Sequence, residues 1–387
     1  MAASARAAGM DRRGPRELAL ERDPVLGGGA QRSHGVGPWQ AVDRIAPAVG
    51  FALRDPLPWR DVVEIVQTGE DAGYAALFLP ETRGREPFAT LAALTPVTEG
   101  LRLGTGVVPM GARSPVTTAM AAATVHEVSG ERLVLGIGTG DAGPGALERL
   151  RAYVGTVRLL LAGERAEVAG RPERLWLELP SPPPIWISAL GPRAMRLAGE
   201  IADGVLLNWC PPERVAFARE RVREGAEAAG RDPAAVTVAV YVRACVGPDE
   251  EAALAALRAQ AGTYASYPAY RRQFHQVGLG ELAERAAAAH GAGRPEEVPE
   301  ALVRAVCLLG DAVAAAGRFA AYRDAGADLP VVYPVPCLDP RSTVVGTLLA
   351  LAPRPVGGDP RPGGGPRSGG HARPRGHPGS RGHPRPG

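Results

Sequence analysis

The strongest constraint on the fold is a unit that repeats along the middle of the chain: a short, almost uninterrupted apolar run, then a segment with helical spacing. AVGFAL (48–53) leads into PWRDVVEIVQTGEDAG, AALFLP (75–80) into PFATLAALTPVTEG, and LRLGTGVV (101–108) into PVTTAMAAATVHEVSG. RLVLGIG (132–138) precedes ALERLRAYVGTVRLLLAG, PPIWISA (183–189) precedes GPRAMRLAGEIA, and DGVLLNW (203–209) precedes PPERVAFARERVREGAEAAG. AVTVAVYVRACV (235–246) is followed by a longer helical region, and DLPVVYPV (328–335) by RSTVVGTLLALA. Runs this apolar suit a parallel sheet, because helices cover its outer face. The endings EDAG, TEG, VSG and LAG suit helix C-caps. Eight β/α units in about 305 residues point to an α/β fold of the (β/α)8 TIM-barrel class. A doubly wound sheet stays open as the alternative, since periodicity does not say whether a sheet closes.

The two ends differ in composition from this middle. All 44 basic residues are arginines, and no lysine occurs. Residues 1–44 carry 7 Arg against 5 acids, and residues 353–387 carry 7 Arg against the single acid Asp359. That leaves 30 Arg and 35 acids in residues 45–352, a net charge of −5. The mildly acidic middle argues against a nucleic-acid-binding surface. Residues 1–44 lack sustained periodicity and read as a disordered extension, or as sequence upstream of the native start. The 353–387 tail is Pro, Gly, Arg and His, with almost nothing apolar to bury, and should not fold. The barrel is therefore expected over 45–352.

Cys210, Cys245, Cys307 and Cys337 form no CxxC pair, so neither a disulfide framework nor a metal site is expected, and a reducing cytoplasm suits them. No apolar run approaches the ~20 residues of a membrane span.

Residues 138–143 read GTGDAG, which fits GxGxxG. A dinucleotide-binding turn would lie in the first βα unit, with an acid about 20 positions on at the end of the next strand. Here the motif lies in the fourth unit, and Glu164 follows LLLAG at a helix end. That context is wrong for a dinucleotide fold. In a barrel, active sites occupy the C-terminal ends of the strands, where glycines let a flat ligand or a phosphate approach the backbone. LGTGVVP (103–109) and SALGPRAM (188–195) are two more glycine-bearing strand ends. In the second, Gly191 and Pro192 open a helix whose free N–H groups suit a phosphate. Ordinary tight βα turns remain the competing explanation for each motif singly.

At these residues the chain resembles the luciferase-like monooxygenase superfamily, in its coenzyme F420-dependent oxidoreductase branch. The resemblance runs through GYAALFLPET, LRLGTGVVP with Pro115, AAATVHEVSGERLVLGIGTGD, PIWISALGPRAMRLAGEIADGVLLNW and FAAYRDAGADLPVVYPV, covering roughly 48–351. It implies a luciferase-like (β/α)8 barrel holding coenzyme F420, or alternatively FMN, in its mouth. It further implies a non-prolyl cis peptide at Gly106–Val107, after Thr105, as a bulge behind the tricyclic ring. Gly138, Thr139, Gly140 and Ser188 would line the ring's site. Leu190, Gly191 and Pro192 would take the phosphate, with Arg193 as a charge partner. Asn208 aligns with a polar cofactor contact, although capping the following helix explains it equally well.

Two acids are the catalytic candidates. Asp141 matches the carboxylate that gives or takes a proton in sugar-phosphate-oxidising relatives. Glu81 ends the second strand in LPET, where pairing with Arg83 or Arg85, or capping, is the plainer role. The histidine often found after that acid is Thr82 here, so histidine-based acid catalysis is unavailable at this position. The short segment between Asp141 and the helix at Ala146 implies an open mouth. His126 is read as structural. The leading function is hydride transfer between the deazaflavin and a small organic substrate. An FMN-dependent monooxygenase using oxygen and a non-catalytic flavin- or deazaflavin-binding barrel are the alternatives. The partners expected are a small-molecule substrate and a second copy in a homodimer, with no nucleic acid and no membrane.

Overall fold

The computed structural model describes residues 48–353 apart from Asp55, Asp141, Ala142 and Pro248. The expected disorder of 1–44 and of the tail beyond Pro353, like any placement of Asp141, lies outside these residues.

The strands are β1 (Gly50–Ala52), β2 (Ala76–Leu79), β3 (Arg102–Thr105), β4 (Val108–Pro109), β5 (Leu133–Gly138), β6 (Ala166–Val168), β7 (Arg171–Glu173), β8 (Ile185–Ser188), β9 (Gly204–Asn208), β10 (Thr237–Val246), β11 (Cys307–Gly310) and β12 (Leu329–Pro334). Neighbouring strands run β10-β12-β1-β2-β3-β5-β8-β9, and β9 pairs again with β10. All these pairings are parallel, including the closing one of Thr237–Tyr241 against Gly204–Asn208. The sheet is therefore a closed eight-stranded barrel, and the doubly wound alternative is excluded.

The surrounding helices are α1 (Trp59–Asp71), α2 (Pro87–Leu94), α3 (Pro115–Val128), α4 (Ala146–Leu161), α5 (Pro192–Ile201), α6 (Pro212–Ala228), α7 (Glu250–Ser266), α8 (Pro268–Gln276), α9 (Gly280–Gly291), α10 (Glu300–Val306), α11 (Ala312–Asp324) and α12 (Pro340–Ala350). Six of them open on proline, whose missing N–H costs nothing in a first turn. Side chains cap several more orphan donors, as where Ser114 Oγ accepts from Thr117 N and Asp339 from Ser342 N. On exposed α6, Arg223 pairs with both Glu220 and Glu227, each at 2.6 Å.

Two features depart from the eight-unit expectation. β6 and β7 form a small antiparallel hairpin between α4 and β8. The region after β10, read from sequence as helical, contains β11, which extends the sheet beside Arg243–Val246 beyond the point where β9 leaves β10. Its four residues, CLLG, are too few to break a helical pattern.

Inside the barrel, alternate strand residues bury Phe78, Trp186, Tyr241 and Tyr333 among small and aliphatic neighbours. Two of these rings lean over glycines directly opposite in register. A Cβ on Gly104 would lie 2.5 Å from the Phe78 ring, and one on Gly204 would lie 2.6 Å from that of Trp186. Outside, the strands bury the inner faces of the helices in a larger cluster.

Two predictions follow from the helical layer. A Cβ on Gly225 would sit 1.9 Å from the Arg196 carbonyl oxygen, so α5 and α6 approach too closely for any side chain there. Gly225→Ala should cost about 1–3 kcal/mol or more in urea unfolding, since backbone rather than a flexible side chain must move. The second concerns His126, which is 2% exposed and held by burial below its ordinary pKa of 6.5. The unfolded chain takes up a proton near 6.5 that the folded chain resists. This residue's contribution is therefore present above 6.5 and lost as pH falls from there through the lower folded-state pKa. Unfolding curves on either side should show the native chain losing more stability in acid than His126→Leu does.

Candidate active site

The inward residues at the C-terminal ends of the strands form the mouth of the barrel, above the ring layer of Phe78, Trp186, Tyr241 and Tyr333. Its floor is built where β3 meets β5 and β8. Thr105 is fully buried, and its hydroxyl donates to the Gly136 carbonyl and accepts from the Gly136 N–H, both at 2.8 Å. This clamp leaves no room at Gly136, whose Cβ would lie 2.1 Å from Thr105 O. The chain then passes through a cis peptide between Gly106 and Val107, as the resemblance implied, and re-enters the sheet as β4 beside β5. The Gly106 carbonyl accepts from the Tyr241 hydroxyl at 3.2 Å. Burial pushes that phenol well above its ordinary pKa, so it stays a donor.

Val107, Gly138 and Ser188 converge. A Cβ on Gly138 would stand 2.6 Å from Val107 Cγ2 and 2.9 Å from Ser188 Oγ. Glycine is required here because three strand ends meet, which explains the first glycine of the GxGxxG stretch by close approach. Gly140, at φ +59, turns the chain away, and the Thr139 hydroxyl donates to the Gly140 carbonyl at 3.2 Å.

At the end of β8, Leu190 leads into Gly191, the N-cap of α5, with Pro192 as its first residue. No side chain caps this terminus, and a Cβ on Gly191 would meet nothing within 4 Å. The first turn of α5 therefore has no side-chain partner for its amides, and there is space beside Gly191. The Leu190 carbonyl is held from behind by Arg214 Nη2 at 2.9 Å. Arg193 is 80% exposed at the rim, where it pairs with Glu148 at 3.3 Å.

The two remaining candidates are already engaged. Glu81 receives Arg113 side-on, Nε to Oε2 at 2.8 Å and Nη2 to Oε1 at 3.1 Å, rather than pairing with Arg83 or Arg85. Arg113 also binds Glu86 and lies 5.1 Å from the Phe88 ring. Asn208 does not cap α6: its Nδ2 donates to the Tyr270 hydroxyl at 2.9 Å, and its Oδ1 accepts from Arg243. Arg113, Tyr241, Tyr270 and Arg243 were not anticipated from sequence. Only Arg243 carried a signal, as a lone charge inside an apolar strand.

Helices α7–α10 pack a second apolar cluster against the strand ends at Trp209, Cys245, Leu309 and Val335. The α7–α10 region thus packs on the side of the barrel where β9 and β10 end, whereas the segment behind the reading of an open mouth includes Asp141 and Ala142, outside the described residues. Cys245 and Cys337 lie in this cluster with sulfurs 3.2 Å apart.

The sequence model of the luciferase-like monooxygenase family matches residues 41–329. The chain is 30% identical over 226 residues to the 5,10-methylenetetrahydromethanopterin reductase of Methanolobus tindarius, covering 55% of this chain and 68% of that protein. In structure it is similar to the coenzyme F420-dependent tetrahydromethanopterin reductase of Methanopyrus kandleri, with a TM-score of 0.67 at 20% identity, over 79% of this chain and 98% of that one. It is also similar to an F420-dependent secondary alcohol dehydrogenase in complex with an F420–acetone adduct, with a TM-score of 0.66 at 17% identity, over 79% and 99%. The family's sequence model spans well over half of the chain: the chain belongs to the luciferase-like monooxygenase family.

Proposed function

We propose that this chain is a coenzyme F420-dependent oxidoreductase that moves a hydride between the deazaflavin and a small organic substrate. The observation that carries the reading is the floor at Gly138, where any side chain would strike Val107 and Ser188. A flat ring can lie against such a floor. The F420-dependent proteins of the same fold support the choice of deazaflavin over FMN.

Thr105, Gly106, Val107, Gly138, Thr139, Gly140 and Ser188 would hold the ring. Leu190, Gly191 and Pro192 present the uncapped terminus of α5 to a phosphate, whose charge suits free N–H groups and the helix dipole. With no lysine in the chain, Arg193 is the cation that can swing from Glu148 to meet it. When bound, the deazaflavin supplies the carbon that gives or takes the hydride. Asp141 holds or accepts the proton at the substrate oxygen, whose proton affinity changes as the carbon is reduced or oxidised. Glu81, gripped by Arg113, ties the end of β2 to the turn after β4 and is the second candidate for proton transfer. Asn208 orients the β9 end of the mouth through Arg243 and Tyr270. No helix of the described residues is long and apolar enough to cross a membrane. A cytoplasmic homodimer is part of the same reading.

Titration with F420 and with FMN separates the alternatives. Tighter F420 binding, with hydride transfer to a carbonyl panel, is expected. Tight FMN binding with oxygen consumption would replace the reading with a monooxygenase, and binding without turnover would replace it with a non-catalytic barrel. Two variants sharpen the test. Gly191→Val places its side chain in open space at φ −101, so the fold should be unchanged while F420 affinity falls at least roughly tenfold. Normal binding would put the phosphate elsewhere. Asp141→Asn should bind F420 nearly as well as the native chain but turn over roughly a hundred times more slowly. Equal loss of binding and rate would make Asp141 an anchor instead.

A further inference from the structure

Arg243 is the one charged residue in β10, and it is only 2% exposed. It follows Ala239 and Tyr241 on the inward face and lies opposite Tyr333 in register, one layer nearer the mouth than Tyr241. The ring centroids of Tyr333, Trp209, Tyr264 and Tyr241 lie 3.9, 4.9, 5.2 and 5.8 Å from its guanidinium carbon. Cation–π attraction offsets part of the cost of burying the charge, but a buried cation ordinarily has an anion. Among the described residues no carboxylate pairs with it.

The donors show where an anion is missing. Nη1 donates to Asn208 Oδ1, Nη2 reaches only the Tyr264 hydroxyl at 3.3 Å, and Nε is buried without a partner. Nε and Nη2 form one edge of the guanidinium. Arg113 uses that same edge to grip Glu81 side-on, at 2.8 and 3.1 Å. In Arg243 the same edge holds only the long Tyr264 contact at Nη2 and nothing at Nε. The partner that such an edge pairs with best is planar, anionic and able to accept two parallel hydrogen bonds.

We propose that Arg243 anchors a carboxylate of the substrate, so that the substrate is an organic acid whose reacting carbon lies over the Gly138 floor. The carboxylate takes Nε and Nη2, displacing the weak contact from Tyr264. Entry is past Tyr264 and Tyr270, half-buried rings 4.9 Å apart on either side of the helix break at Tyr267. Tyr267 itself is 49% exposed. The redox chemistry of this acid rests on the hydride-transfer reading; the carboxylate site does not.

The test is calorimetric titration of the full chain, with and without F420, using pyruvate, phenylpyruvate and levulinate, each against its methyl ester. At least one acid should bind about tenfold more tightly than its ester, the difference a bidentate charged contact supplies. Arg243→Gln should erase that preference and Arg243→Lys retain part of it, with near-UV circular dichroism reporting the fold. Tyr264→Phe, which removes the competing hydroxyl, should tighten acid binding and leave the esters unchanged. Acids and esters binding alike in the native chain would overturn the proposal, as would a preference that survives in Arg243→Gln or is indifferent to Tyr264→Phe. F420 binding without an acid preference sinks the carboxylate site alone. An acid preference without F420 binding sinks the deazaflavin reading alone.

Discussion

Four large rings share the inside of the barrel, and the strands can close around them only because neighbouring positions carry no side chain. Phe78 lies 5.5 Å from Trp186 and 6.2 Å from Tyr241, which lies 5.4 Å from Tyr333. Gly104 and Gly204 yield the space beside Phe78 and Trp186, and a Cβ on Gly106 would collide with the Tyr241 hydroxyl at 1.6 Å. Interiors packed this densely do not deform smoothly. The ring layer therefore fixes the height of the floor above it, and the mouth begins where the rings end. The same phenol that fills the interior also holds the Gly106 carbonyl, so packing and site geometry are one constraint.

This explains which parts could be read from residues alone. The eight barrel strands were legible because burial on both faces makes them nearly continuous apolar runs. Elements buried on one face or barely at all, such as the β6–β7 hairpin and the four-residue β11, leave no such trace. The glycine-rich stretch at 138–143 was legible as a place of close approach, but not which atoms approach. Val107 and Ser188 come from strands before and after it. Long-range charge pairing was less legible still. Glu81 has arginines two and four residues away, yet it is taken by Arg113, which the chain reverses to bring beside it. Asn208, read as a cofactor contact or a cap, turns out to be gripped by a residue of the next barrel strand. Such partnerships depend on topology, which local pattern does not contain.

The α7–α10 insertion divides the mouth into two unlike halves. On the β3–β5–β8 side the walls are backbone, glycine and small side chains, suited to a rigid planar group. On the β9–β10 side they are aromatic rings and amides supported by a separate apolar cluster. A barrel that conserves its floor can change what it acts on by altering the second half alone, since the two share few residues. Long insertions at strand ends are where this fold accommodates variety.

With no lysine in the chain, its strongly basic side chains are all guanidiniums, among them Arg223 bridging Glu220 and Glu227, and Arg304 bridging Glu250 and Glu300. An ammonium surface begins to discharge around pH 10, whereas a guanidinium holds its proton past about 12. Ion pairs in this protein consequently outlast alkali that would dissolve a lysine-based network, and reagents that acylate side-chain amines find nothing on it to react with.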